Sequence, residues 1–179
     1  MFSEFGKIAL EEATKKGASY ADIRISEILN EILTVKNGEP EAVNLLQTKG
    51  FGVRVIADGA WGFAGSIDIN KKEIIKTVEK AVTIAKASAM LKKKEATLIR
   101  EEAGEDQYSS SFQKDPFKIP VEEKLDVLVQ AGRILKEQSP LIKAAYAYYR
   151  GFRENKLFMS TEGAKVSQNI TWCGGGCQL

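Results

Sequence analysis

Apolar positions along this chain switch between two periods. Near the start, Phe5, Ile8, Leu10 and Ala13 recur at helical spacing, with Ser3 as a cap and Lys15-Lys16-Gly17 as a stop. Strand spacing follows. Asp22-Ile23-Arg24-Ile25-Ser26 alternates, and Glu31–Lys36 is rich in β-formers up to the turn dipeptide Asn37-Gly38. Residues 50–64 read as a tight hairpin: Val53, Val55 and Ala57 alternate with Arg54, Ile56 and Asp58, and Asp58-Gly59 supplies the two positive-φ positions of a type I′ turn. The helical period returns over residues 71–91, where Ile74, Val78, Ala81, Val82 and Ala85 share a face behind the Asn70/Glu73 capping pair. Residues 101–119 are acidic and serine-rich and read as loop, with Tyr108, Phe112 and Phe117 as its aromatics. A third helix opens at Pro120, carries Val121, Leu125, Leu128, Val129 and Leu135, and stops at Ser139-Pro140. The end of the chain returns to strand patterning: a hairpin around Glu154-Asn155, a turn at Glu162-Gly163, then Val166, Gln168, Ile170 and Trp172 at alternate positions.

Turns this closely spaced predict an antiparallel meander rather than parallel strands joined by crossover helices. The expected fold is therefore α+β, an antiparallel, curved β-sheet with about three packed helices. One domain is expected over residues 1–172, followed by a Gly/Cys tail at 173–179 without structure of its own.

Composition narrows the function classes. A hydrophobic fraction of 44% in 179 residues is enough for a real core. Twenty-six Lys and Arg against 24 Asp and Glu leave little net charge, which argues against binding a nucleic-acid duplex. Apolar runs fall short of the ~20 residues that cross a bilayer, and Met1-Phe2-Ser3-Glu4-Phe5 lacks the basic start of a secretory signal, so no membrane role and a cytoplasmic location are expected. The only cysteines, Cys173 and Cys177, form no disulfide framework.

Chemistry-bearing groupings are sparse. The chain contains no histidine, which removes the Ser-His and Cys-His arrangements and the commonest zinc ligand. Cys173-Gly174-Gly175-Gly176-Cys177 offers two thiolates without a second pair to complete four ligands. Glu11-Glu12, Glu101-Glu102 and Glu122-Glu123 are neighbours in sequence, which do not share a helix face. Gly50-Phe51-Gly52 begins a dinucleotide fingerprint, but Val55 stands in place of its third glycine and no helix follows. Lys92-Lys93-Lys94 reads as a solvated helix end. Trp61, Phe63, Tyr146, Tyr148 and Tyr149 could stack on bases or line a peptide groove, but on strands such aromatics read first as core or cross-strand pairs. No catalytic, cofactor-binding or metal residue is assigned.

Several stretches together resemble one family. Gly17-Ala18-Ser19-Tyr20-Ala21-Asp22-Ile23-Arg24, Lys36-Asn37-Gly38, residues 50–65, the helix over 69–86, Asp115-Pro116 with Lys124, and Ser160-Thr161-Glu162-Gly163 resemble, in that order, the N-terminal region of TldD/PmbA proteins. Asp58-Gly59-Ala60-Trp61-Gly62-Phe63-Ala64 is closer to the TldD branch. The resemblance implies a zinc metallopeptidase of unstructured peptides, assembled as a homo- or hetero-oligomer with a TldD/PmbA-type subunit. The family's metal ligands belong to a His-Glu-x-x-x-His helix that has no matching position here. The expected function is that of the N-terminal, non-catalytic domain, shaping the substrate chamber and partner contacts, with no cofactor in this chain and zinc implied for the full-length family. The alternative is a stand-alone binding or regulatory module of the same fold. From Trp172 onward the resemblance lapses, and the ending resembles that of a truncated or shifted reading frame.

Overall fold

The computed structural model describes residues 2–99 and 102–179. In chain order the elements are helix α1 (Phe2–Lys15), strands β1 (Tyr20–Lys36), β2 (Glu39–Ala57) and β3 (Ala60–Ser66), helix α2 (Lys71–Ala89), strand β4 (Glu105–Ser109), a single 3-10 turn (Pro116–Lys118), helix α3 (Val121–Glu137), and strands β5 (Tyr146–Ser160) and β6 (Lys165–Gln178). The six strands lie in the order β3-β2-β1-β5-β6-β4. The fold is α+β, as the alternation of periods predicts.

The chain forms two compact units. One comprises Met1–Glu27, Lys49–Tyr108 and Asn155–Gln168; the other comprises Ile28–Thr48, Ser109–Glu154 and Asn169–Leu179. In the first unit, Ile23, Ile25, Val53, Val55, Ile74 and Val78 are wholly buried and form the centre of an apolar cluster. In the second, α3 lays Leu128 against Leu33, Val35 and Ala147.

The turn chemistry acts as read. Asn37 and Gly38 take φ of 54° and 82°, and Asp58 and Gly59 take 51° and 72°, the left-handed pairs that close two-residue hairpins. From the second turn β2 and β3 run antiparallel, Ala57 opposite Ala60 through Phe51 opposite Ser66. Asn70 caps α2, its side-chain oxygen accepting from the Glu73 N–H at 3.0 Å. The predicted stripe Ile74, Val78, Ala81, Val82 and Ala85 is the buried face of that helix.

Elsewhere the architecture departs from local signals. Strand β1 is continuous through the gap expected between residues 26 and 31, and β5 passes straight through the expected Glu154-Asn155 hairpin. Neither place offers the positive-φ residues that a tight reversal needs, since among the described non-glycine residues only Asn37 and Asp58 adopt them. The expected loop at 101–119 contains β4, an edge strand beside β6; Glu101 lies outside the described residues. The expected tail is also strand, because β6 continues to Gln178. On α1 the buried stripe is Gly6, Ala9 and Ala13, with Phe5, Ile8 and Leu10 half-buried beside it, and Ser3 lies inside the helix rather than capping it. Small residues face the core there because Met159 fills the space beside Gly6.

Close packing is tightest at Gly62 in β3. A Cβ at that position would overlap the Ala81 carbonyl and lie 2.6 Å from the Ala85 nitrogen, so α2 rests directly on the β3 backbone. We predict that Gly62→Ala lowers the unfolding free energy by about 1–3 kcal/mol, read from urea denaturation, whereas Gly104→Ala, with no atom near its added methyl group, stays close to wild type.

Candidate functional site

Tyr20, Asp22 and Arg24 fall on the face of β1 opposite Ala21, Ile23 and Ile25. Asp22 is 1% exposed although it stands outside the apolar cluster. Arg54, from β2, grips it: Nε donates to both carboxylate oxygens at 3.2 and 2.9 Å, and the terminal NH2 donates at 2.7 Å. The Tyr20 hydroxyl donates to the same carboxylate at 2.9 Å. The guanidinium also lies 5.6 Å from the Trp61 ring centre, and Tyr20 meets Trp61 edge-on at 5.9 Å. Burial, then the Asp22 charge, pushes the Tyr20 phenol up to about 12. On the same unit Arg24 lies 5.2 Å from the Phe158 ring centre. Phe63 projects from β3 at 60% exposure.

Trp61 and Phe63 are thus not core residues, against the sequence expectation; α2 occupies the Gly62 side of β3, so its odd-numbered neighbours face away from the helix. Tyr148 is exposed too, whereas Tyr149 packs against the second unit's apolar cluster and Tyr146 is half-buried beneath the Lys36 ammonium at 5.3 Å. An outward surface of Arg, Trp, Phe and Tyr has the composition that anchors protein partners. Both Asp22 oxygens are engaged by Arg54 and Tyr20, so this carboxylate is not free to act as a general base. Beside Tyr20 and Phe158 opens a pocket of about 290 Å³, walled also by Leu98, Ile99, Glu102 and Glu162. That volume lies at the lower limit of small-molecule pockets.

The second unit hides another charged group. Lys124 projects inward from α3 onto Glu31 of β1, both nearly sealed from solvent, and the two form an ion pair. The ammonium lies 5.1 Å from the Tyr149 ring centre. The Tyr149 hydroxyl is buried and has no hydrogen-bond partner among the described residues. Burial, then the adjacent Cys173 thiol and the Glu31 carboxylate, push that phenol well above its ordinary value.

The groupings singled out in the sequence stay apart. Cys173 and Cys177 are free and exposed along β6; four residues of strand separate them by roughly 13 Å, beyond disulfide reach. Glu122 and Glu123 are exposed on α3, and Glu11 is exposed on α1 while Glu12 lies 3.7 Å from Lys16. Gly50-Phe51-Gly52 lies within β2, where Gly52 makes room for the Phe63 ring. Lys92 donates to the Asp58 carbonyl and pairs with Glu95, rather than being merely solvated. No cluster of three or more His, Cys, Asp or Glu side chains that could hold a metal ion occurs among the described residues. No helix among them is long and apolar enough to cross a membrane.

Both ion pairs with a buried carboxylate escaped the sequence reading, and one left a trace. Lys124 lies three residues after Val121 and four before Leu128, within the apolar stripe of α3. Asp22 left none, because an alternating strand places polar residues at such positions by default.

Residues 21–85 match the model of PmbA/TldA metallopeptidase domain 1. A metalloprotease of Methanocaldococcus jannaschii is 30% identical over 154 residues, which are 86% of this chain and 34% of that protein. The chain therefore spans about a third of the length of this curated relative. Among solved structures, a protein of Bacteroides thetaiotaomicron described as a candidate modulator of DNA gyrase superposes with a TM-score of 0.79 at 14% identity, over 98% of this chain and 40% of that one. TldE of Thermococcus kodakarensis does so at 0.63 and 16%, over 97% of this chain and 37% of that one. At these identities the solved structures show a shared fold.

Two predictions follow from the charged groups. Lys124→Met strands Glu31 in the interior and costs about 3–5 kcal/mol in urea unfolding, while adding Glu31→Gln recovers most of the loss. The folded chain keeps the Tyr20 proton to about 12 and the unfolded chain releases it near 10.0, so Tyr20 makes stability fall as pH rises through that window. Tyr20→Phe removes this part of the slope in denaturation curves taken on either side of the window, and the part owed to Tyr149 remains.

Proposed function

Because the chain belongs to the TldD/PmbA family, we propose that it forms the N-terminal, non-catalytic domain of a TldD-like zinc metallopeptidase that cleaves unstructured peptides. The observation that carries this reading is the unequal coverage of its metalloprotease relative, 86% of this chain against 34% of that protein. The donor chemistry supports it. Zinc in peptidases is held by His and carboxylate ligands, and this chain has no histidine and, among the described residues, no cluster of three donors. Its residues do not fit the metal, and no hydrolytic step is assigned to them.

The contribution of residues 1–172 is then architectural. They wall a substrate chamber and contact a TldD/PmbA-type subunit, and the outward surface of Arg24, Arg54, Trp61 and Phe63 is suited to such contact. A cytoplasmic location accompanies this reading.

The test is metal analysis and peptide hydrolysis on the purified chain, alone and mixed with a polypeptide carrying the His-Glu-x-x-x-His region. We expect no stoichiometric zinc and no cleavage from the chain alone, and a stable complex with the catalytic polypeptide. One tightly bound zinc per chain, or cleavage by the chain alone, would overturn the proposal; failure to bind the catalytic polypeptide would favour a stand-alone module.

A further inference from the structure

We infer that the cavity beside Tyr20 and Phe158 binds an aliphatic ammonium group, the charged end of an alkyl amine. The cavity holds about 290 Å³, and its described walls all belong to the first unit. Tyr20 of β1 and Phe158 of β5 supply two aromatic rings, Leu98 and Ile99 an aliphatic side, and Glu102 and Glu162 two carboxylates.

Charge decides the sign of the ligand. No Lys or Arg lines the cavity among the described residues, and neither Glu102 nor Glu162 forms an ion pair among them. Two carboxylates thus border a small space whose walls carry no counter-charge, which disfavours an anion and leaves a cation as the complement. Arg24 lies 5.2 Å from the Phe158 ring centre without being a wall of the cavity; it offsets one of the two negative charges and leaves the other. The Tyr20 hydroxyl is committed to Asp22 at 2.9 Å, so Tyr20 offers a ligand its ring. Its phenol, raised chiefly by burial, also registers the Glu162 charge, so that carboxylate and that ring act on the same small volume.

The remaining walls decide the kind of cation. Hard metal ions take six or more oxygen ligands, whereas aromatic and aliphatic side chains form most of this lining, and no cluster of three metal-binding side chains occurs among the described residues. An alkyl amine matches both halves. Its methylene stem packs against Leu98, Ile99 and the rings, and its ammonium is attracted by ring faces and carboxylates alike. A free amine and a lysine side chain of an extended peptide carry this same group.

Amine binding is independent of the architectural role proposed above, because a chain without zinc or hydrolytic activity gives the same titration. The experiment follows proton–nitrogen correlation spectra of the full chain during titration with pentylamine, and with pentanol as its neutral counterpart, at fixed pH and ionic strength. Pentylamine should shift the amides of Tyr20, Phe158 and Ala164 with a dissociation constant on the order of 1 mM. Pentanol should bind about tenfold more weakly, and Glu162→Gln and Phe158→Leu should each weaken pentylamine about fivefold. An unstructured lysine-containing peptide and its norleucine counterpart separate the two sources: lysine-dependent shifts at the same amides identify a peptide side chain, and a response to pentylamine alone identifies a free amine. The proposal is overturned if pentanol shifts these amides as strongly as pentylamine, if a folded Glu162→Gln chain binds pentylamine as well as wild type, or if pentylamine well above the millimolar range shifts none of them. Should Phe158→Leu fail to fold by circular dichroism, the pentanol comparison and Glu162→Gln, at an exposed turn position, decide the matter.

Discussion

Backbone pairing between very long strands is the constraint on which the rest of this molecule depends. Strands β1, β2, β5 and β6 run for 17, 19, 15 and 14 residues, well beyond the usual strand length. A residue with a strand on both sides has its backbone donor and acceptor satisfied by its neighbours, so breaking the ladder there leaves polar groups that water cannot reach. Weak turn signals such as Glu154-Asn155 lose to that cost. Strong ones survive where left-handed backbone is available at little strain, at Asn37-Gly38 and Asp58-Gly59.

The length of the strands also determines where charge is buried. A strand must turn alternate residues to opposite faces, and the same β1 that gives Ile23 and Ile25 to an apolar cluster must present Asp22 and Glu31 as well. Each carboxylate is matched by one cation from a neighbouring element, Arg54 for Asp22 and Lys124 for Glu31. Removing the cation leaves a buried carboxylate in a medium that solvates it poorly, which is why these pairs specify the arrangement more strongly than exposed pairs such as Lys76 with Glu73. The outward aromatics around Arg54 are a consequence: with α2 on the Gly62 side of β3, Trp61 and Phe63 have only the other face.

For a family whose relatives include a metalloprotease, the placement of chemistry is informative. The titratable groups held most firmly here are engaged with one another, and the exposed surface carries aromatic and aliphatic side chains such as Trp61, Phe63, Val43 and Leu45. Such surfaces recognise protein and peptide through burial and backbone pairing.

By itself the sequence determined the two turns, the α2 stripe with its Asn70 cap, the span of α3 and the α+β class, because each rests on residues a few positions apart whose preferences do not depend on distant partners. The family resemblance was legible for the same reason, in short ordered blocks. The tertiary structure decided the rest. It fused β1 and β5 into single strands, drew Glu105–Ser109 into the sheet as β4 and extended β6 through Gln178, since the stability of a strand comes from its neighbour's backbone rather than its own side chains. It also decided that Trp61 faces outward while Lys124 and Asp22 lie buried. Which face of a strand is covered, and whether a charge has a partner beneath it, depends on residues distant in the chain, and local pattern carries no record of them.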